Sequence, residues 1–153
     1  MASEREVLVE RVAPAVTYPL RARVLRPGRP LDAARFAADD DPRTATFAAR
    51  TPAGVVVGTA VAFPESCPWA PERPGAWRLR GMATEPDLRG RGVGRRVLDA
   101  VLDHVRAAGG RFLWCTARVP AQPFYERAGF TCHGEPWDDP EVGPHVAMWR
   151  EVA

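Results

Sequence analysis

Hydrophobic positions along the chain follow two different repeats, and the change between them marks out the architecture. Val7, Val9 and Val12 fall close to every second position in EVLVERV, which predicts a short strand. Pro14 opens a helix expected to reach Val24 or Leu25, where Pro27 and Gly28 stop it. RPGRPLDAARFAADDDPR, residues 26–43, reads as a solvated connection. Its three consecutive Asp residues cannot all face one ion from an extended chain, which argues against a metal site. Thr44 to Arg50 (TATFAAR) and Val55 to Phe63 (VVVGTAVAF) predict a hairpin around the turn Thr51-Pro52-Ala53-Gly54. Pro64 to Gly75 holds four prolines and is expected to be an irregular loop. Trp77 to Thr84 is a third extended run, ended at Glu85-Pro86 because the proline keeps Glu85 out of helical geometry.

The repeat then changes. Val93, Val97, Val101, Val105 and Ala108 recur at steps of four and three, with Leu98 and Leu102 beside them, which predicts an amphipathic helix capped by Gly109. Arg111 to Ala117 (RFLWCTA) predicts a buried strand, and Pro120 to Ala128 a short helix stopped by Gly129. Phe130 to Gly134 and Val146 to Val152 predict a closing strand pair. Strand, helix and strand over residues 77–117 imply a parallel pair, while the early hairpin implies antiparallel ones. The expected class is α/β (α+β) with a mixed sheet.

A length of 153 residues suits one domain, residues 1–153, with enough buried surface to need no staples. The net charge of +2 gives no strong pull toward nucleic acid. All 21 basic residues are arginine, so lysine Schiff-base and lysine-base chemistry are excluded. Cys67, Cys115 and Cys132 are odd in number and form no CxxC, which argues against a disulfide framework or a zinc site and for a reducing compartment. The N-terminal stretch MASEREVLVERVAP is acidic and lacks a signal-peptide apolar run, and no apolar stretch approaches membrane-spanning length. A cytoplasmic protein is expected.

Candidate chemistry begins at Arg89-Gly90-Arg91-Gly92-Val93-Gly94, between a strand and a helix. Glycines let the main chain turn tightly and approach a ligand. The first N–H groups of the helix have no partner within it and sit at the positive end of its dipole, a combination suited to pyrophosphate. A dinucleotide loop needs GxGxxG, and these glycines fall at 90, 92 and 94; a Walker loop needs lysine; an RGG-like segment should not run into a periodic helix. Taken alone, the six residues are equally well a glycine-rich helix entry with a solvated basic face. The second piece is Phe124-Tyr125-Glu126-Arg127-Ala128-Gly129-Phe130, whose aromatic residues could simply pack a short helix onto the sheet.

Taken together, Arg-x-x-Gly-x-Gly opening a helix, the next strand and then FYERAGF resemble the GNAT superfamily of acyl-CoA-dependent N-acetyltransferases. The matching core runs from Trp77 to Phe130, and the element order extends it over nearly the whole chain. The resemblance implies a mostly antiparallel central sheet with a splayed parallel strand pair and flanking helices. It implies that main-chain amides of Arg89, Gly90, Arg91, Gly92, Val93 and Gly94 hold the pyrophosphate of acetyl-CoA. The strand ending at Met82-Ala83-Thr84 would splay from Phe112–Cys115, and pantetheine would pair with the main chain of Met82 and Thr84. Tyr125 would be the general acid to the leaving thiolate, an amine would attack the thioester directly, and Cys115 and Cys132 would be structural. Two family positions differ: the asparagine seven residues before the tyrosine is Arg118, and the strand WRLRGMAT carries no acid to serve as base.

His145, in Gly143-Pro144-His145, is a candidate base and substrate contact, because neutral imidazole can take a proton from an ammonium near neutral pH; a part of the family carries a similar GPH segment. A packing histidine explains it equally well. Glu135 is a second base candidate. Arg80 shares a strand face with Arg78, Met82 and Thr84 and could recognise an acceptor carboxylate. The simpler account for Arg78 and Arg80 is one solvated sheet face, or pairing with Asp39 to Asp41. The reading is an N-acetyltransferase using acetyl-CoA and no metal, with a small-molecule or peptide amine as acceptor, no nucleic-acid or membrane partner, and a monomer or homodimer as the assembly. A non-catalytic acyl-CoA sensor of the same fold is the alternative, and an arginine-rich RNA-binding protein a third.

Overall fold

The computed structural model describes residues 7–152. Residues 1–6, which open the stretch read for a signal peptide, and Ala153 lie outside the described residues. The strands are β1 (Leu8–Arg11), β2 (Ala45–Arg50), β3 (Val56–Pro64), β4 (Ala76–Thr84), β5 (Phe112–Arg118), β6 (Thr131–Asp139) and β7 (Gly143–Glu151). The helices are α1 (Tyr18–Leu25), α2 (Val93–Ala107) and α3 (Gln122–Arg127). The strands follow the order β1-β2-β3-β4-β5-β7-β6 in a mixed sheet. β4 and β5 are parallel, while β1/β2, β2/β3, β5/β7 and β6/β7 are antiparallel. The chain divides into two compact units, Met1–Phe63 with Gly81–His104, and Pro64–Arg80 with Val105–Ala153.

In the first unit, α2 is seated by its apolar stripe. Val93, Val97, Leu98, Val101 and Leu102 are all buried, and burying one such side chain contributes about 1.5–3 kcal/mol. The seat on β3 is Gly58, where an added Cβ would lie 3.0 Å from Val93 Cγ1 and 3.4 Å from Val97 Cγ2. Val105 continues the stripe in the second unit; Ala108, expected on it, lies beyond the helix end and is exposed. Residues 26–43 depart from the expected solvated connection. They form two 3-10 turns, Leu31–Ala34 and Ala37–Asp40, and the Asp39 side chain is only 3% exposed because it pairs with the buried Arg21.

In the second unit, the loop from Pro64 to Gly75 folds inward. Cys67, Phe112 and Trp114 form a buried cluster against which Trp69, Ala70, Ala76 and Trp149 pack, and Trp114 Nε1 donates to the Glu65 carbonyl at 2.9 Å. Trp69 stacks on His133, ring centroids 4.9 Å apart and 9° from parallel. The closing strands are longer than their apolar residues suggested. β6 continues past Gly134, and β7 starts at Gly143, so His145 lies within a strand. Among the described residues no helix is long and apolar enough to cross a membrane.

Candidate functional site

The first unit carries Met82, Ala83, Thr84 and the residues from Arg89 to Gly94. Gly90 and Gly92 have φ of +77° and +89°, left-handed conformations that glycine adopts without strain. A Cβ at either position would meet nothing within 4 Å, so the main chain there is open. The Arg96 N–H donates to the Gly92 carbonyl at 3.1 Å, which makes Gly92 the residue preceding the first helical turn of α2. The first N–H groups of a helix point out of its start, and no acidic side chain occupies the first turn of α2. Val93 turns its side chain into the core, while Arg89 and Arg91 are exposed. Arg95 is paired with Asp99 one turn along, at 3.0 Å. Main-chain donors and two exposed cations thus meet at the start of α2, an arrangement with the chemistry to accept an anion.

Upstream, Ala83 is buried and Met82 and Thr84 are half-buried. Sequence reasoning passed over Gly81, whose φ is +62°. An isolated glycine in a strand is the signal for such a break. A left-handed residue in mid-strand interrupts the two-residue repeat, so a shared face for Arg80, Met82 and Thr84 no longer follows from spacing.

The second unit carries Arg80, Tyr125 and His145. The β4–β5 register pairs Ala76 with Phe112, Trp77 with Leu113 and Arg78 with Trp114; Leu79 and Arg80 follow on β4 outside it. Arg78 is held by Glu65 at 3.1 Å and lies over the Trp114 ring, 4.8 Å from its centroid. Asp39 pairs with Arg21 and Asp41 with Arg43, so the alternative in which Arg78 pairs with the Asp run is corrected. Arg80 is half-buried and engaged in an interaction of its own.

Tyr125 is 6% exposed, between the edges of Phe124 and Phe130, at ring separations of 5.1 and 5.3 Å. Its carbonyl accepts from the Ala128 and Phe130 N–H groups, and Gly129, at φ +88°, makes that turn possible. Arg150 Nη1 closes the helix end through the Ala128 carbonyl at 2.8 Å. Burial, and secondarily Cys115, hold the phenol well above its usual pKa, so it keeps its proton at neutral pH. Burial likewise pushes the Cys115 thiol up to about 12, which removes it as a nucleophile. His145 is half-buried opposite Arg118 on β5 and Trp137 on β6. Its Nδ1 lies 2.9 Å from the Gly143 carbonyl. A carbonyl only accepts, so Nδ1 carries the proton in the neutral ring and Nε2 holds the basic lone pair. Cys115 and Arg118 are three apart on β5 and face opposite sides. His145, directly opposite Arg118, therefore stands on the face of the sheet opposite to that of Cys115.

The acetyltransferase (GNAT) family model matches residues 16–130, well over half of the chain. An uncharacterized N-acetyltransferase of Bacillus subtilis (strain 168), YitI, is 29% identical over 136 residues, covering 89% of this chain and 90% of that protein. A Lactobacillus plantarum crystal structure assigned to the N-acetyltransferases has a TM-score of 0.78 at 22% identity, covering 96% of this chain and 99% of that one. An aminoglycoside 6′-N-acetyltransferase, crystallised with coenzyme A, has a TM-score of 0.71 at 15% identity, covering 95% and 97%. With this fold, these motifs and this family match, the chain belongs to the GNAT family of acetyltransferases and is an acyltransferase.

Proposed function

We propose that this chain transfers the acetyl group of acetyl-CoA to a primary amine of a small molecule or peptide by direct attack. The observation that carries the reading is the open main chain at Gly90 and Gly92, leading into a helix start free of acids. In this reading the amides of residues 89–94 hold the pyrophosphate, and the main chain of Met82 and Thr84 aligns the pantetheine. His145 Nε2 takes the proton of the attacking amine. The amine nitrogen forms the new bond to the acetyl carbon, the carbon–sulfur bond breaks, and Tyr125 delivers its proton to the departing sulfur. Arg80 contributes acceptor recognition.

The test is thiol release from acetyl-CoA with a panel of free amines and amine-bearing peptides. Amine-dependent thiol release supports the reading. Tight acetyl-CoA binding with no release for any amine would favour the sensor alternative instead.

A further inference from the structure

Asp39 is the hub of a buried network on the first unit. Arg21, on α1 and 1% exposed, donates from Nη1 to Asp39 Oδ2 at 2.9 Å and to the Ala34 carbonyl at 3.2 Å, and from Nη2 to Asp39 Oδ1 at 3.4 Å. The Tyr18 hydroxyl and the Phe36 N–H both donate to the same Oδ2 at 3.0 Å. The Arg21 guanidinium lies over the Phe36 ring, 4.5 Å from its centroid. The ion pair thus clamps that ring, and the ring presses on β4. A Cβ on Gly81 would lie 2.9 Å from Phe36 Cε2 and 3.4 Å from Arg21 Nε.

Stability alone does not account for this arrangement. A buried ion pair gains little over apolar side chains of the same volume, because desolvating two charges offsets their attraction. Arg21 Nε also makes no hydrogen bond among the described residues, which is a further cost. What charges supply here is direction. A guanidinium fork and a carboxylate fix their neighbours at set distances and angles, which apolar contacts do not. The feature so fixed is the left-handed Gly81, immediately before Met82-Ala83-Thr84. The other end of that tripeptide is held too, since the Glu85 N–H donates to the Val57 carbonyl at 2.8 Å and the Glu85 carboxylate pairs with Arg23 of α1. α1 therefore reaches both ends of this stretch, with Arg21 over Phe36 at Gly81 and Arg23 at Glu85.

We infer that Arg21, Asp39 and Phe36 are positioning residues that aim the Met82–Thr84 main chain at the pantetheine arm of CoA. The inference rests on the assignment of that arm to Met82 and Thr84 made above. None of the three residues touches a reacting atom; they act through Gly81.

The experiment compares the affinity of CoA with that of its adenosine bisphosphate fragment, which lacks pantetheine, by calorimetry. The variant is Arg21→Met with Asp39→Leu, which removes both charges together and leaves neither buried alone. CoA affinity should fall by about tenfold, the cost of one or two misaligned hydrogen bonds, while fragment affinity stays unchanged. A merely structural pair would move neither, or both alike, and either result overturns the inference. Should the double variant not fold, Phe36→Leu, which keeps the ion pair and removes the ring from Gly81, carries the same readout and the same outcomes. Wild-type protein that binds CoA no tighter than the fragment overturns the pantetheine assignment itself, and this inference with it.

Discussion

Trp137 and His145 face each other across the β6–β7 ladder, ring centroids 6.0 Å apart and tilted by 30°. The indole is 42% exposed on an edge strand and flanks the imidazole. With Nδ1 committed to the Gly143 carbonyl, only Nε2 is left to take a proton. His145→Ala should lower turnover at neutral pH and leave acetyl-CoA affinity intact. Part of the rate should return at higher pH, where more of the amine is already neutral. A pH–rate profile of both proteins decides it, and a defect of equal size at every pH would exclude the base role.

Gly92 tests the anion cradle. Acetyl-CoA should raise the melting temperature, because it binds only the folded state. Gly92→Asp places a carboxylate at the first turn of α2 and strains a backbone at φ +89°. The ligand-induced shift should vanish while the protein remains folded by circular dichroism. A shift of undiminished size in the folded variant refutes the cradle.

Tyr125→Phe keeps the packing against Phe124 and Phe130 and removes only the hydroxyl. Turnover should drop by about a hundredfold to ten-thousandfold, the range for losing a general acid. Acetyl-CoA affinity should change little. Near-normal turnover would leave the tyrosine a packing residue.

Gly110 tests packing and no chemistry. A Cβ there would lie 2.4 Å from Val105 Cγ1 and 2.7 Å from Trp77 Cδ1. Gly110→Ala should destabilise by about 1–3 kcal/mol through overpacking, lowering the melting temperature by about 2–4 °C per kcal/mol. Thermal unfolding measures it, and an unchanged midpoint contradicts the packing.

Cys115 should resist alkylation. Its folded pKa is raised to about 12, so the thiol remains protonated at every pH below that, and it is buried. Iodoacetamide at mildly alkaline pH should leave it unmodified until denaturant is added. Mass spectrometry of digested protein reads the outcome, and rapid labelling of the folded chain would show the thiol to be accessible.

Patterns that repeat locally are legible in the amino-acid sequence itself. The stripe from Val93 to Val105 specifies α2, the glycines at 90 and 92 specify its open entry, and the Gly129 stop specifies the end of α3. Each is a property of neighbours in sequence, governed by helix period and by the freedom of glycine at positive φ. The family resemblance follows from those same stretches. What tertiary structure alone decided is which distant groups meet. Asp39 sits in a run of three acids that composition marks as solvent-exposed, yet it is buried because Arg21, Tyr18 and the Phe36 N–H supply the donors a desolvated carboxylate needs. Arg78 pairs instead with Glu65 and lies over the Trp114 ring, partners that strand packing brings close and charge alone does not name. The tautomer of His145 is set by a carbonyl two residues away, and its neighbours Arg118 and Trp137 are set by strand register. A one-residue slip in that register would turn His145 to the other face without changing a letter of the sequence pattern, and only the folded sheet fixes it.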